Sequence, residues 1–316
     1  MLPLLRLEPV KDIYDIVAEA GEDIAGLFAL ATLVRAEGSS YRRPGARLLI
    51  CTDGRTLGSL SGGCIEDEIA ARATDVIKSG QAVVVEFDTR RRFGCHGKIY
   101  VLIERIDRAF LEQLRDELRA RRKCFVVTTA EGSTVHASPF VRLSNDDPSD
   151  FPATPFVQEI HPPIRLIIFG DGPDTSPLQN FCSVLGWQSA EISNVSELPT
   201  EADEWTAAIV KSHNFGRDFV ALAKLLPLNL RYVGLIGPKK RRDELLSGLL
   251  EIGISMTPGF FGPAGLDLGA ESPEGIALAV VSEIQRVFGQ ASGQSLRDRK
   301  QPIHGRNQTG AQNRAI

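Results

Sequence analysis

The sequence predicts an α/β protein in two parts: an N-terminal α/β domain with a mixed sheet, then a C-terminal domain built on a parallel sheet. Three observations carry this expectation. At 316 residues with 43% hydrophobic content, the chain can fill two ordinary cores. Strand–turn–strand patterns dominate the first half, whereas strand and helix alternate after Leu166, as βαβ units do. Between Ser144 and Pro163 the composition shifts to Asn, Asp, Pro, Ser and Thr with few periodic apolar residues, the signature of a linker. The expected organisation is therefore a first domain over 1–143, a linker over 144–163, a second domain over 164–289 and a disordered tail over 290–316, where almost nothing can be buried.

Val10, Ile13, Ile16, Val17 and Ala20 recur at three- and four-residue steps and predict an opening helix ended by Gly21 or Gly26. Leu27 to Val34 and Arg47 to Cys51 read as strands, the second followed by the Asp53-Gly54 turn pair. Thr56 to Leu60 leads into Ser61-Gly62-Gly63. From Cys64 the spacing of Ile65, Ile69, Ala73, Val76 and Ile77 becomes helical, with Gly80 as a stop. Strands at Val83 to Phe87 and Ile99 to Glu104 enclose an irregular segment from Asp88 to Lys98. A charged helix near Arg108 to Arg121 and strands about Phe125 to Thr129 and Thr134 to Ala137 complete this half.

In the second half, strands Leu166 to Phe169, Ala207 to Val210 and Tyr232 to Ile236 alternate with helices Asp174 to Leu185, one after His213, and Lys239 to Leu250. Ser272-Pro273 is an N-cap with proline at the first helical position, and Ile276, Ala279, Val280, Ile284 and Val287 line one face of a last helix.

A net charge of −4 gives no general basic field, so nucleic acid and anionic membrane surfaces are excluded as broad partners. No stretch reaches the roughly 20 apolar residues of a membrane span, and the start lacks a long secretory segment, which predicts a cytoplasmic protein. The five cysteines are odd in number and scattered, against a disulfide framework, and no C-x-x-C pair suggests a metal cage.

The loop Gly58-Ser59-Leu60-Ser61-Gly62-Gly63-Cys64 is the most informative local feature. Its glycines let backbone approach a ligand, and the helix that follows offers free amides and a positive dipole end to an anion such as a phosphate or an oxo-metal group. The bland alternative is a tight turn that needs positive φ angles. Cys64 at the helix start is favoured as a thiolate by the dipole, able to ligate a soft metal, although Glu66, Asp67 and Glu68 oppose that shift. Its bland alternative is a small buried hydrophobe. Cys95 lies between glycines in Phe93-Gly94-Cys95-His96-Gly97, able to face Cys64 across a cleft. Arginines cluster at 42, 43 and 47 and again at 90–92, where guanidinium groups suit phosphate or an acidic partner, or form a solvated charge run.

Leu166-Ile167-Ile168-Phe169-Gly170-Asp171-Gly172 places Gly-x-Gly between a strand and a helix, the context of a dinucleotide fingerprint. Thr175 stands where the third glycine should be, and the ribose-binding acid is not clean, with Glu191 nearby. A Rossmann-like parallel-sheet domain follows more firmly than a bound NAD(P). Ser212-His213-Asn214, with Asp218 one turn on, sits at a strand's carboxyl end, so His213 can serve as acid, base or ligand, or as a helix cap.

Together these segments resemble the XdhC/CoxI family. The resemblance rests on Gly38-Ser39-Ser40, Arg43-Pro44-Gly45-Ala46-Arg47, Asp53-Gly54, Ser61-Gly62-Gly63-Cys64-Ile65-Glu66 and Gly94-Cys95-His96-Gly97 in the first half. In the second it rests on Gly170-Asp171-Gly172, Ser212-His213-Asn214 with Asp218, Gly234-Leu235-Ile236-Gly237 and Ser272-Pro273-Glu274. It implies binding of the molybdenum cofactor (molybdopterin), protection or sulfuration of it, and delivery to an apo-molybdoenzyme of the xanthine dehydrogenase or carbon monoxide dehydrogenase type. Implied ligand-binding residues are Ser61, Gly62, Gly63, Cys64, Glu66 and Cys95, supported by Arg43 and Arg47, with Gly170, Gly172, His213 and Asp218 in the second half. Cys64 and Cys95 are the implied contacts to molybdenum, a cysteine desulfurase is a further implied partner, and a homodimer is expected. The leading expectation is thus a non-catalytic maturation chaperone. The rival is an NAD(P)-dependent oxidoreductase using Gly170 and Gly172 for pyrophosphate and His213 for proton transfer, and a third reading is a ligand-free interaction scaffold.

Overall fold

The computed structural model describes residues 11–19, 27–63, 65–88, 97–137 and 151–300. The chain divides into two compact units between Pro162 and Pro163.

The first unit opens with α1 (Lys11–Glu19), followed by β1 (Phe28–Gly38), β2 (Arg47–Cys51) and β3 (Thr56–Gly58), then α2 (Glu66–Ser79), β4 (Val83–Asp88) and β5 (Gly97–Ile106). The strands form one five-stranded sheet in the order β3-β2-β1-β5-β4. Every pairing in it is antiparallel, which corrects the expected mixed sheet: Phe28↔Cys51, Phe28↔Ile106, Val83↔Ile103 and Leu48↔Gly58 all run that way. The physical reason is connectivity, because β1, β2 and β3 follow one another through short turns that reverse the chain, with none of the helical crossovers a parallel pair needs.

Side chains alternate between the sheet's faces. On one face Ala29, Ala31, Leu33, Leu48, Ile50, Val101 and Ile103 pack against Ile69, Ala73 and Val76 of α2. On the other, Phe28, Leu30, Leu49 and Ile106 meet Ile13 and Ile16 of α1 and Phe110 and Leu114 of α3 (Arg108–Arg119). The Asp107 side chain caps α3 by accepting from the Phe110 amide. This second core also takes Val126 and Ile160 from a three-stranded antiparallel sheet of β6 (Cys124–Thr128), β7 (Ser133–His136) and β8 (Phe156–Ile160), in the order β7-β6-β8.

Strand β8 lies inside the segment expected as a linker. Its Phe156, Gln158 and Ile160 are buried and it pairs with β6 from Cys124↔Ile160 to Thr128↔Phe156. Five residues flanked by prolines carried too short an apolar pattern to stand out from the polar segment around them.

The second unit holds β9 (Arg165–Phe169), α4 (Thr175–Leu185), β10 (Gln188–Ile192), β11 (Thr206–Val210), α5 (Phe215–Leu225), β12 (Tyr232–Leu235), α6 (Lys239–Glu251), β13 (Phe260–Phe261) and α7 (Pro273–Phe288). All pairings in its sheet are parallel, in the order β10-β9-β11-β12-β13. β11 and β12 are buried along their whole length, as strands covered on both faces must be. Leu178, Cys182, Val280 and Ile284 of α4 and α7 cover one face, and Leu222, Leu225, Leu245 and Leu249 of α5 and α6 the other. The Ser272 hydroxyl accepts from the Gly275 amide and Pro273 occupies the first turn, so the expected cap of α7 is present. Residues 290–300, expected as part of a tail, include a short 3₁₀ turn at Leu296–Asp298, and the rest of the expected tail lies outside the described residues. Among the described residues no helix is long and apolar enough to cross a membrane.

Candidate functional site

The first unit brings three connections to one end of its sheet. Gly38, at the end of β1, pairs with Gly97 at the start of β5, and Asp88, at the end of β4, pairs with Lys98. Arg47 opens β2 opposite Thr32, and Gly58 closes β3 opposite Leu48. The arch 39–46, the loop 59–65 and both anchors of segment 89–96 therefore leave the same sheet end. Direct contact joins the first two: Arg42 donates to the Ser59 hydroxyl at 3.0 Å and forms an ion pair with Asp12 of α1. Cys64, Cys95 and the arginines at 90–92 lie outside the described residues.

Glu66, the first residue of α2, organises the loop. Its carboxylate accepts from the Ser61 hydroxyl at 2.6 Å, the Ser61 amide at 2.8 Å, the Ile65 amide at 3.1 Å and the Leu60 amide at 3.2 Å. Partial burial works against its charge, yet the hydrogen bonds from Ser61 and Ile65 outweigh that and hold the carboxyl below its ordinary range. Amides expected to face a guest are thus partly engaged by the protein's own carboxylate. Gly62 and Gly63 beyond it are exposed, and a Cβ at either would meet nothing within 4 Å. Gly63 has φ +100 and needs glycine for its backbone, whereas Gly62 has neither a positive φ nor a neighbour that forbids a side chain. Among the described residues nothing requires glycine at 62.

Of the supporting arginines, Arg43 is half-buried in the arch, its carbonyl accepting from the Ala46 amide. Arg47, expected as a supporting residue, is not at the surface. It is 1% exposed, and its Nη1 donates to the Gly45 carbonyl at 3.1 Å and to the Gln158 side chain. Alternation along β2 turns it inward with Leu49. Arg42, which sequence reasoning placed only in the general cluster, touches the glycine loop through Ser59. Its spacing to Ser59 is set by the tertiary fold, so no local pattern could single it out.

In the second unit, Gly170, Gly172 and Ser212-His213-Asn214 gather at the carboxyl ends of β9 and β11. Gly170 has φ +105, and a Cβ there would lie 2.6 Å from the Ser212 Cα and amide nitrogen. Its glycine is explained by the close approach of the next strand. Lys211, which sequence reasoning passed over, is fully buried beside this loop: its Nζ donates to the Asp171 carbonyl at 2.8 Å and to Asp174 Oδ1 at 2.9 Å. A Cβ at Gly172 would stand 3.3 Å from both Asp174 Oδ1 and Lys211 Nζ, so an internal ion pair borders the loop. A lysine directly after an apolar strand was the available signal.

Asp218 sits inside the fold. It is 0% exposed, and its carboxylate accepts from the Ser212 amide at 3.0 Å, the Ser212 hydroxyl and the Arg241 guanidinium. His213 is exposed with φ +53, a left-handed backbone that costs a non-glycine residue about 1 kcal/mol, and Asn214 beside it caps α5 through the Arg217 amide. Of the second-unit set, His213 alone has its side chain in the open. Among the described residues no group of three or more His, Cys, Asp or Glu side chains could hold a metal ion.

An antiparallel α/β unit with a carboxylate-braced glycine loop, followed in one chain by a parallel Rossmann-type unit, defines a two-unit α/β class. Residues 25–88 match the model of the XdhC and CoxI family, and residues 166–284 match the XdhC Rossmann domain. The chain belongs to the XdhC and CoxI family. It is 31% identical to a Bacillus subtilis protein named as a probable xanthine dehydrogenase subunit, over 81% of this chain and 91% of that one. It is 24% identical to the Escherichia coli molybdenum cofactor insertion chaperone PaoD, over 82% of each chain. A Bacillus halodurans crystal structure described as a xanthine dehydrogenase shares the fold with a TM-score of 0.75 at 24% identity, over 93% of this chain and 98% of that one.

Proposed function

We propose that this chain is a maturation chaperone that binds the molybdenum cofactor at the sheet end of its first unit and delivers it to an apo-molybdoenzyme of the xanthine dehydrogenase type. The observation that carries the reading is Gly62: an exposed glycine that no described residue requires, on a loop already shaped by Glu66, leaves backbone open to a guest a side chain would obstruct. Family membership and the insertion-chaperone relative support the same assignment.

The residues present fit such a group. The bound cofactor supplies an anionic phosphate and an oxo-metal end. The protein supplies the Gly62-Gly63 backbone, the start of α2 with its positive dipole end, and Arg42 beside Ser59. Cys64, next in sequence to Gly63, and Cys95, two residues before Gly97, offer thiols in this reading, and sulfuration by a cysteine desulfurase would precede transfer. The dinucleotide reading lacks comparable support, because Gly170 and Gly172 are accounted for by Ser212, Lys211 and Asp174.

The test is retention of cofactor. Purified chain is mixed with molybdenum cofactor, separated by gel filtration and read by metal analysis and pterin fluorescence. Wild type retains both signals and activates the apo-enzyme, while Gly62→Val and Cys64→Ala lose retention with unchanged thermal stability. Equal retention by Gly62→Val, or none by wild type, overturns the proposal.

A further inference from the structure

Arg47, Thr32 and Glu104 share one face of the five-stranded sheet. Thr32 pairs with Arg47 on one side, while Leu30, two residues back along β1, pairs with Glu104 on the other. Arg47 and Glu104 therefore flank β1 diagonally with the Thr32 hydroxyl between them. All three are buried, at 1%, 3% and 0% exposure for Arg47, Glu104 and Thr32, beneath the three-stranded sheet that supplies Gln158 and Ser133.

The polar atoms here are unevenly served. Arg47 Nη1 is engaged by Gly45 and Gln158, and the Glu104 oxygens accept from the Ser133 amide at 2.5 Å and the Ser133 hydroxyl at 2.6 Å. Arg47 Nε and Nη2 and Thr32 Oγ1 have no hydrogen-bond partner among the described residues. Nε and Nη2 form the side-on fork of the guanidinium, the edge that makes paired hydrogen bonds. A buried donor left unmet costs about 1–3 kcal/mol, more for a charged group, so these atoms call for a partner. Burial pulls the Arg47 guanidinium down to about 10, which leaves it charged at neutral pH, with Glu104 its foremost electrostatic counterpart. The two do not hydrogen-bond each other directly: Arg47 bonds Gly45 and Gln158, and Glu104 bonds Ser133.

We propose that ordered buried water bridges the Arg47 fork and the Thr32 hydroxyl to the Glu104 carboxylate, meeting the unpartnered donors there. Water fits because the lining mixes donors with an acceptor: it accepts from Nε or Nη2 and from Thr32 while donating to Glu104. A bound anion would match the donors but face the Glu104 oxygens, which accept from the Ser133 amide and hydroxyl. The bridge completes an ion pair between strands of one sheet, and through Gln158 and Ser133 it ties that sheet to the smaller one. Because Arg47 Nη1 also holds the Gly45 carbonyl, the same cluster positions the arch that brings Arg42 to Ser59. The inference does not depend on the cofactor reading.

A crystal structure of the full chain, fine enough to show waters and grown with bromide, tests it without any variant. Solvent peaks within about 3 Å of the Arg47 fork, Thr32 Oγ1 and Glu104, with no anomalous signal, are expected. A bromide peak at the fork, a direct Arg47–Glu104 contact, or the absence of solvent peaks there overturns it. A second measurement is the thermal unfolding of Glu104→Gln, Arg47→Met and the double variant. Bridging predicts that Glu104→Gln lowers Tm by several degrees alone and by less than half as much beside Arg47→Met, and additive losses overturn it.

Discussion

The Glu66 carboxylate holds Ser61 twice, accepting its hydroxyl at 2.6 Å and its amide at 2.8 Å. One side chain at the start of α2 thereby shapes the loop behind it, much as a capping box joins a helix start to the residues before it. The loop is folded by the protein's own anion, and what stays open is the Gly62-Gly63 corner.

Replacing that carboxylate should expose its pH signature. The folded-state pKa of Glu66 is depressed, so its stabilisation is present above the ordinary glutamate range and is lost as pH falls through the lower, folded value. Glu66→Gln should lower stability by about 1 kcal/mol at pH 7, a figure discounted for a half-exposed group, or roughly 2–4 °C in Tm. The gap between wild type and variant should be flat from pH 6 to 8 and shrink below about pH 4.3. Thermal scans across pH check this, and a gap that widens in acid would sink the assignment.

Two glycines should respond in opposite ways. Gly62→Ala adds a methyl where nothing lies within 4 Å and should change stability by no more than about 0.5 kcal/mol, while cofactor retention falls. Gly170→Ala drives a methyl to 2.6 Å from the Ser212 backbone at φ +105 and should cost about 3 kcal/mol or more. Urea unfolding of both variants separates a glycine kept for a guest from one kept for the fold.

The second unit was largely legible in the sequence because buried parallel strands are unbroken apolar runs, such as Leu166 to Phe169, and its helices carry apolar stripes and a cap such as Ser272. The short edge strand at Phe260–Phe261 was not, since two residues hold no period. In the first unit the helix starting at Glu66 was legible from Ile69, Ala73 and Val76, but β8 hid among prolines and polar residues. Site residues divided on the same line. Ser61, Glu66 and Gly62 form a local constellation that spacing reveals, whereas Arg47 meets Gln158 across 111 positions and Lys211 meets Asp174 across 37. Pairings of that kind are fixed by register and packing, which a linear pattern does not encode.

Asp218 makes a sharper test of scaffold against ligand contact. Asp218→Ala removes the acceptor of the Ser212 amide and hydroxyl and of Arg241, all in a site without exposure, and should cost about 3 kcal/mol. His213→Ala removes an exposed side chain from a left-handed position and should leave stability within about 0.5 kcal/mol. Unfolding curves of the two variants side by side decide the matter: equal losses would mean that His213 is part of the scaffold as well.

The buried pair beside the second glycine loop should be costly to break and cheap to replace. Asp174→Ala leaves the fully buried Lys211 ammonium with only the Asp171 carbonyl, an uncompensated charge that should cost about 3–5 kcal/mol. Lys211→Met leaves Asp174, 10% exposed, nearer to water, and should cost less. The double variant Lys211→Met with Asp174→Ala carries no stranded charge and should regain much of the loss seen in Asp174→Ala alone, a coupling that a thermodynamic cycle reads directly. Were the two losses simply to add, the ion pair would not be what holds Asp171 and Gly172 in place.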